Sequence, residues 1–409
     1  MKERPMTATR PLSRSLLAGS AALSLIVATP LLAQDFNATP PNAPGQQPAF
    51  EGQTRAPVIA EELALKQEVL LEGLDRAWGM APLPDGTWLI TERPGKLRIF
   101  NPADGSLSDP VAGLPEVSFT QQGGLLDVAV RDDFAETRRV WLSFAEPRGE
   151  GKDSTSVATG RLSDDGTTLE DMRVIFQQNP AWESELHYGS RLVFDTDGML
   201  FVTTGERSNP EPRQLAQDVT THLGKVLRID PDGGPAAGNP AIEGGQPEIW
   251  SYGHRNMQGA TLGPDGALWT VEHGARGGDE INRPDPGVNY GWPLATYGIE
   301  YNGEPIGEGD TVQDGMQQPL YYWDPVIAPS GLTFYEGDMF PDWNGSLLIG
   351  GLAGQALVRV TLDGTSVTGE QRYLQGEYRI RDVDVAPDGA VLVLTDGEDG
   401  KLIRLTPEE

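Results

Sequence analysis

The sequence predicts an all-β fold, a six-bladed β-propeller, on three observations. A tight turn followed by a β-rich run occurs six times along the chain. The 409 residues carry 50 Gly and 33 Pro, too many for a helical protein of this size and suited to short strands joined by turns. From residue 61 to the C-terminus neither a second linker nor a long amphipathic helix interrupts the pattern.

Taken in order, residues 1–33 read as a secretory signal peptide. Lys2, Arg4, Arg10 and Arg14 precede an apolar run from Leu16 to Val27, and Leu31-Leu32-Ala33 puts a small residue before Gln34. The apolar run is shorter than a membrane span. The expectation is cleavage after Ala33, a periplasmic or secreted protein, and no membrane span once mature. Residues 34–60 are rich in Pro, Gln, Asn and Ala, and this composition predicts a flexible leader. Residues 61–409 then form one domain. In it, Pro84-Asp85-Gly86, Asp197-Gly198, Pro264-Asp265-Gly266 and Pro387-Asp388-Gly389 each lead into a β-rich run. Asn344-Gly345 opens a looser copy, and Arg139–Phe144 after Asp132-Asp133 is the sixth. An apolar run precedes each turn, so each unit contains at least a hairpin. Irregular spacing argues for blades with variable loops, and radial repetition leaves few open sheet edges. The competing fold, a β-sandwich with coincidental Asp-Gly turns, has to explain six copies.

The formal net charge is −29, which argues against nucleic acid as a partner. It suits a neutral or cationic ligand and acidic loops able to hold Ca²⁺. With no cysteine, the chain has neither disulfides nor a thiolate metal site or nucleophile.

The chemistry concentrates in residues 247–293, with all four histidines between His187 and His273. His187 opens His187-Tyr188-Gly189-Ser190-Arg191, and a neutral imidazole is the default general base near neutral pH. A lone histidine is more often structural. Arg255-Asn256 offers a planar fork for a carboxylate or developing oxyanion, or a surface ion pair. Gln122 precedes two glycines that permit close backbone approach. Arg379 and Arg381 share one strand face; a carboxylate ligand would satisfy them, and so would Asp382 and Asp384. Gly274-Ala275-Arg276-Gly277-Gly278-Asp279-Glu280, followed by Tyr290, is a loop rich in the oxygens Ca²⁺ prefers, without an EF-hand consensus. Zinc is disfavoured by the absence of an HExxH pair and of cysteine.

Together HYGSRL, GHRNMQG, EHGARGGDEIN, NYGWP and RIRDV, in that order, resemble the soluble pyrroloquinoline-quinone (PQQ) dependent aldose sugar dehydrogenases of the glucose/sorbosone dehydrogenase family. The resemblance covers about residues 70–409 and implies a six-bladed propeller, in agreement with the repeat count. It implies oxidation of an aldose at C1 to the lactone, with electrons passed to an external acceptor. By resemblance His187 is the base for the anomeric hydroxyl. Gln122, Arg255, Asn256, Tyr301, Arg379 and Arg381 are PQQ contacts, with Arg255 near the quinone oxygen that gains charge. The carbonyls of Gly274 and Ala275 hold the PQQ-bound Ca²⁺; Glu280 and the Tyr290 carbonyl hold a second, structural Ca²⁺. Two positions depart from the family pattern. A lysine common after the strand at Ser346–Ile349 is missing from Gly351-Leu352-Ala353-Gly354, and Ala275 stands where a proline is frequent. Two other readings compete: a calcium-dependent propeller lactonase or hydrolase, and a propeller binding module without catalysis.

Overall fold

The Asp-Gly turns build the blades. In residues 83–86 the Gly86 amide donates to the Leu83 carbonyl (2.9 Å), and Leu83 then pairs with Thr87 (2.8 Å). Pro84 pre-sets the first corner, the Asp85 carboxylate accepts the Thr87 amide (3.0 Å), and Gly86 supplies the φ of 87° that closes the hairpin. The same bonds recur at 263–267 and 386–390. Each turn joins the first and second strands of a four-stranded antiparallel sheet.

The computed structural model describes residues 35–60 and 63–408 and contains six such sheets. Numbered in chain order, blades 1 to 6 begin with the strands Ala77–Pro82, Leu125–Ala129, Gly189–Phe194, Met257–Leu262, Pro329–Phe334 and Ile380–Val385. These first strands touch one another in a closed ring and are innermost. Blade 6 takes its outermost strand from the start of the domain: Leu65–Leu74 pairs antiparallel with Gly400–Pro407, locking the ring. The six-bladed propeller expected from the repeats is the fold observed.

The core is a set of faces between blades. Leu89, Leu97, Leu142 and Phe144 fill the seam of blades 1 and 2, and Leu348, Leu357, Val391 and Ile403 that of blades 5 and 6. Truncating one such leucine to alanine costs about 2–5 kcal/mol. The central channel is crossed by Arg191, which pairs with Asp127 (3.1 Å) and Asp382 (2.8 Å), donates to the Gln258 carbonyl (2.7 Å) and stacks over Trp78. Asp382 also accepts the Met80 amide (3.0 Å). One guanidinium thus ties blades 1, 2, 3, 4 and 6 at the axis.

Residues 35–60 depart from the flexible leader expected of their composition. The Asn42 and Ala43 amides donate to Asp324, and the Gln53 amide group bonds the Pro319 carbonyl (3.0 Å) and accepts from Tyr297 (3.0 Å). Ala56 is buried in the seam of blades 4 and 5, and Ile59 and Pro57 pair with Glu370 at the edge of blade 5. Apolar side chains are few and scattered in the segment, with Phe36, Ala43 and Ala56 buried, so backbone amides and one buried glutamine carry much of its anchoring. The signal-peptide reading of residues 1–33 lies outside the described residues. Among the described residues no helix is long and apolar enough to cross a membrane.

Candidate functional site

All six innermost strands start at one mouth of the channel, and each starts irregularly: pairing with the second strand slips within its first few residues in every blade. These bulges turn side chains into the mouth. A cavity of about 390 Å³ lies there, in the range of small-molecule sites, lined from the strand starts by Trp78, Gln122, Gln258 and Arg381. A larger cavity, about 560 Å³, lies at the other mouth, where the same strands end. Volume does not mark the chemistry: the larger one is walled by Asp127, Arg191 and Asp382, which already satisfy one another.

His187 sits at the start of blade 3 with φ 53°, a left-handed backbone unusual for a residue with a side chain. Gln122 holds it there, its side-chain oxygen accepting the His187 amide (2.8 Å). Glu206, at the end of the second strand, faces the ring at 2.9 Å from Nδ1. The carboxylate accepts Nδ1–H, which leaves the Nε2 lone pair free to take a proton. Burial holds the imidazole below its usual range; Glu206 opposes that shift, and Arg255 adds to it. The ring is therefore neutral at pH 7.

Blade 4 supplies the second group. Glu272 accepts the Arg255 backbone amide (2.7 Å) and a bond from His254 Nδ1 (2.9 Å), while His254 Nε2 meets Ser251 (2.8 Å) and the ring stacks on Tyr290. The Arg255 guanidinium donates to the His273 carbonyl (3.0 Å) and lies over Trp292. Asn256 accepts the Gly189 amide (3.1 Å), joining blades 3 and 4 directly after His187. His273 lines the main cavity and also the smaller adjoining one that contains Arg255. Burial, then Arg255 and His187, push its pKa down to about 3. Its Nε2 bonds the Pro329 carbonyl (2.8 Å), so it is a neutral donor to the scaffold.

Arg379 and Arg381 meet in the cavity, but Asp382 and Asp384 are not their partners. Asp396, at the end of the second strand of blade 6, lies 3.1 Å from Arg379 and 3.5 Å from Arg381. Asp382 is taken by Arg191, and Asp384 accepts its neighbour's amide (2.7 Å). Sequence spacing could not supply Asp396, which the strand pairing brings across.

Buried donor nitrogens around this mouth without a partner among the described residues include Arg93 Nε, Arg255 Nε, Asn256 Nδ2 and Arg381 Nε. An acceptor-rich, anionic ligand is what such a set lacks. Glu206 and Arg93 were missed by sequence reasoning. The Gly205-Glu206 pair ending the third repeat run was a signal for the first, and no motif pointed to the second.

Gly274, Glu280 and Tyr290 line the adjoining cavity together. Burial and the neighbouring Glu272 raise the Glu280 carboxyl well above the carboxylate range, and Asn282 Oδ1 is buried without a partner. A cation would relieve both. Among the described residues no three acidic or histidine side chains converge, so a cation bound here would have to be held chiefly by carbonyl oxygens. Ala275 turns its side chain into an apolar cluster with Ala216, Trp292 and Ile306, leaving only its carbonyl for a metal. Asp279 is a brace: its carboxylate accepts the Gly274, Ile327 and Ala328 amides (2.8, 2.7 and 2.7 Å). Tyr301 is not brought to the site. It is 71% exposed on the turn that Gly303 closes onto Glu300, outside the cavity lining.

The model of the Glucose / Sorbosone dehydrogenase family matches residues 74–404. Aldose sugar dehydrogenase YliI of Escherichia coli (strain K12) is 46% identical over 347 residues, 83% of this chain and 92% of the relative. The crystal structure of the soluble aldose sugar dehydrogenase from Escherichia coli, in the apo-form, superposes with TM-score 0.81 at 44% identity, covering 84% of this chain and all of that one. The PQQ-bound aldose sugar dehydrogenase from Streptomyces coelicolor gives TM-score 0.71 at 30% identity, covering 85% of this chain and all of that one.

Proposed function

The chain belongs to the glucose/sorbosone dehydrogenase family, and from that premise we propose that it oxidises aldose sugars at C1 to lactones with PQQ and Ca²⁺, passing electrons to an external acceptor. The observation that carries this reading is the set of unpartnered donor nitrogens, those of Arg93, Arg255, Asn256 and Arg381 among them, at one mouth of an otherwise acidic protein. The PQQ-bound relative supports the choice of ligand. A propeller lactonase would need no such surplus of donors, and a binding module would need no base set behind a glutamate.

PQQ, when bound, supplies an ortho-quinone that accepts the two electrons and the hydrogen leaving C1. Arg379, Arg381 and Asn256 would hold it by its carboxylates and ring edge. Arg255, fixed through Glu272 and His254, faces developing negative charge with a guanidinium that needs no reorganisation. His187 Nε2 takes the proton of the anomeric hydroxyl, and Glu206 steadies the imidazolium that results. Ca²⁺ would lie at the Gly274 and Ala275 carbonyls, with a second ion at Glu280 and the Tyr290 carbonyl. Cleavage after Ala33 and a periplasmic or secreted location remain part of the proposal; a Met1 retained in the mass of exported protein refutes the cleavage, and absence of the protein from the exported fraction refutes the location. The enzymatic reading is tested by adding PQQ and Ca²⁺ to purified apo-protein and following dye reduction by aldoses. Saturable PQQ binding with sugar-dependent reduction is expected. Lactone hydrolysis without PQQ would replace this reading with the hydrolase.

A further inference from the structure

The main cavity is lined by four guanidiniums, of which three are engaged. Arg76 is paired by Asp75 (2.7 Å) and by Glu398. Arg379 is bound by Asp396 and by the Leu352 carbonyl (3.1 Å). Arg381 donates to the Gln258 side chain (2.7 Å) and approaches Asp396. Arg93, immediately after the second strand of blade 1, differs. Its side chain makes one hydrogen bond, to the Gln121 carbonyl (2.7 Å), and lies over Phe119, and among the described residues no carboxylate lies within ion-pair distance. Its Nε is buried without a partner. Burial, then Arg381 and Arg76, lower its pKa, and Asp396 and Asp75 oppose that from beyond ion-pair distance, so the guanidinium is partly desolvated without a carboxylate of its own. In a chain of net charge −29, an unpaired arginine among arginines needs an anion. Another stretch of the lining, Leu352-Ala353, supplies no cationic side chain, and Ala353 is exposed at the lip.

We propose that Arg93 is a carboxylate-binding residue for the cofactor, making from blade 1 the charged contact that the Leu352-Ala353 turn does not make. This rests on the PQQ reading above and names the residue that completes it. A guanidinium fork matches a carboxylate with two parallel N–H donors, so the contact fixes orientation as well as charge.

The test is a titration of the apo-protein with PQQ in the presence of Ca²⁺, read by calorimetry, with no turnover involved. Arg93→Gln is expected to raise Kd about ten- to hundredfold, the range for one charge-assisted hydrogen-bonded contact. Arg93→Gln combined with Ala353→Lys is expected to recover most of the loss by returning a cation from elsewhere on the wall. A merely structural role at Gln121 would not be rescued that way. Ala353→Lys alone is expected to change Kd by less than about threefold, because the carboxylate already has its partner. If Arg93→Gln binds PQQ as tightly as the unaltered chain, this inference falls and the PQQ reading stands. If the unaltered chain binds no PQQ, both fall. Should Arg93→Gln not fold, Ala353→Lys alone decides: tightening of about tenfold or more would mean an unpaired carboxylate, and would overturn the role of Arg93.

Discussion

The two mouths of the propeller channel are built from the same strands and differ in kind. Where the innermost strands end, the chain turns back in blades 1, 3, 4 and 6 through Asp-Gly hairpins whose hydrogen bonds repeat, and in blades 2 and 5 through longer loops. Where they begin, pairing slips in every blade, His187 takes a left-handed backbone, and donors outnumber acceptors. Even the charged residues diverge. Arg191 and its aspartates on the axis form a closed set, whereas Arg93, Arg255 and Arg381 each keep a buried nitrogen open. A closed polar network holds the scaffold; an open one waits for a ligand. The regular mouth is a matter of stability and the irregular one of chemistry.

The largest expected separation comes from His187→Gln. Turnover of bound PQQ by sugar should fall by about 10² to 10⁴, with PQQ affinity and melting temperature nearly unchanged. Single-turnover reduction beside a PQQ titration measures it; a wild-type rate would move the base elsewhere.

Glu206→Ala sharpens the same point, with a loss of about 10² through a misplaced ring. Its pH profile is the more telling readout. Burial already keeps the His187 pKa below 6.5, and Glu206 raises it against that trend. In the unaltered enzyme the rate should fall only below pH 6.5, as the ring is protonated. Without Glu206 that acid limb should move to still lower pH. A limb moving upward would mean that another group titrates.

Chelation probes the edge of the irregular mouth. At about a hundredfold excess over its Kd, a native-state ligand adds about 2–3 kcal/mol, a few degrees in Tm. Melting with Ca²⁺ and with chelator should differ by that amount, and PQQ binding should weaken in step. Identical melts and identical PQQ affinity would remove the metal from Glu280 and the Gly274 loop.

The smallest effect belongs to the regular mouth. Gly86→Ala meets no neighbouring atom, so only its φ of 87° resists the added methyl group. The cost should be about 1–2 kcal/mol in denaturant unfolding, with the rate of sugar oxidation unchanged. A loss of activity without a loss of stability would blur the division between the two mouths.

What the sequence determined by itself was everything local. Asp-Gly turns and β-branched runs carry their own geometry within five residues, so six hairpins, and from them six blades, were countable along the chain. Motifs of adjacent residues, such as His187-Tyr188-Gly189-Ser190 and Arg255-Asn256, marked most of the mouth that the strands then formed. Tertiary structure alone decided which charges meet. Glu206 reaches His187 from the neighbouring strand, Asp396 displaces Asp382 and Asp384 as the partner of two arginines, and Arg93 enters from blade 1 beside residues almost 300 positions away. It also decided where a residue singled out in the sequence stands: Tyr301 is in solvent at the tip of a turn, outside the cavity lining. Residues 35–60 were misread for the same reason. Their few apolar residues, such as Phe36 and Ala56, follow no strand or helix period, and single amides bonded to Asp324 and Pro319 anchor them, because a hydrogen bond between distant segments leaves no periodic trace in a sequence.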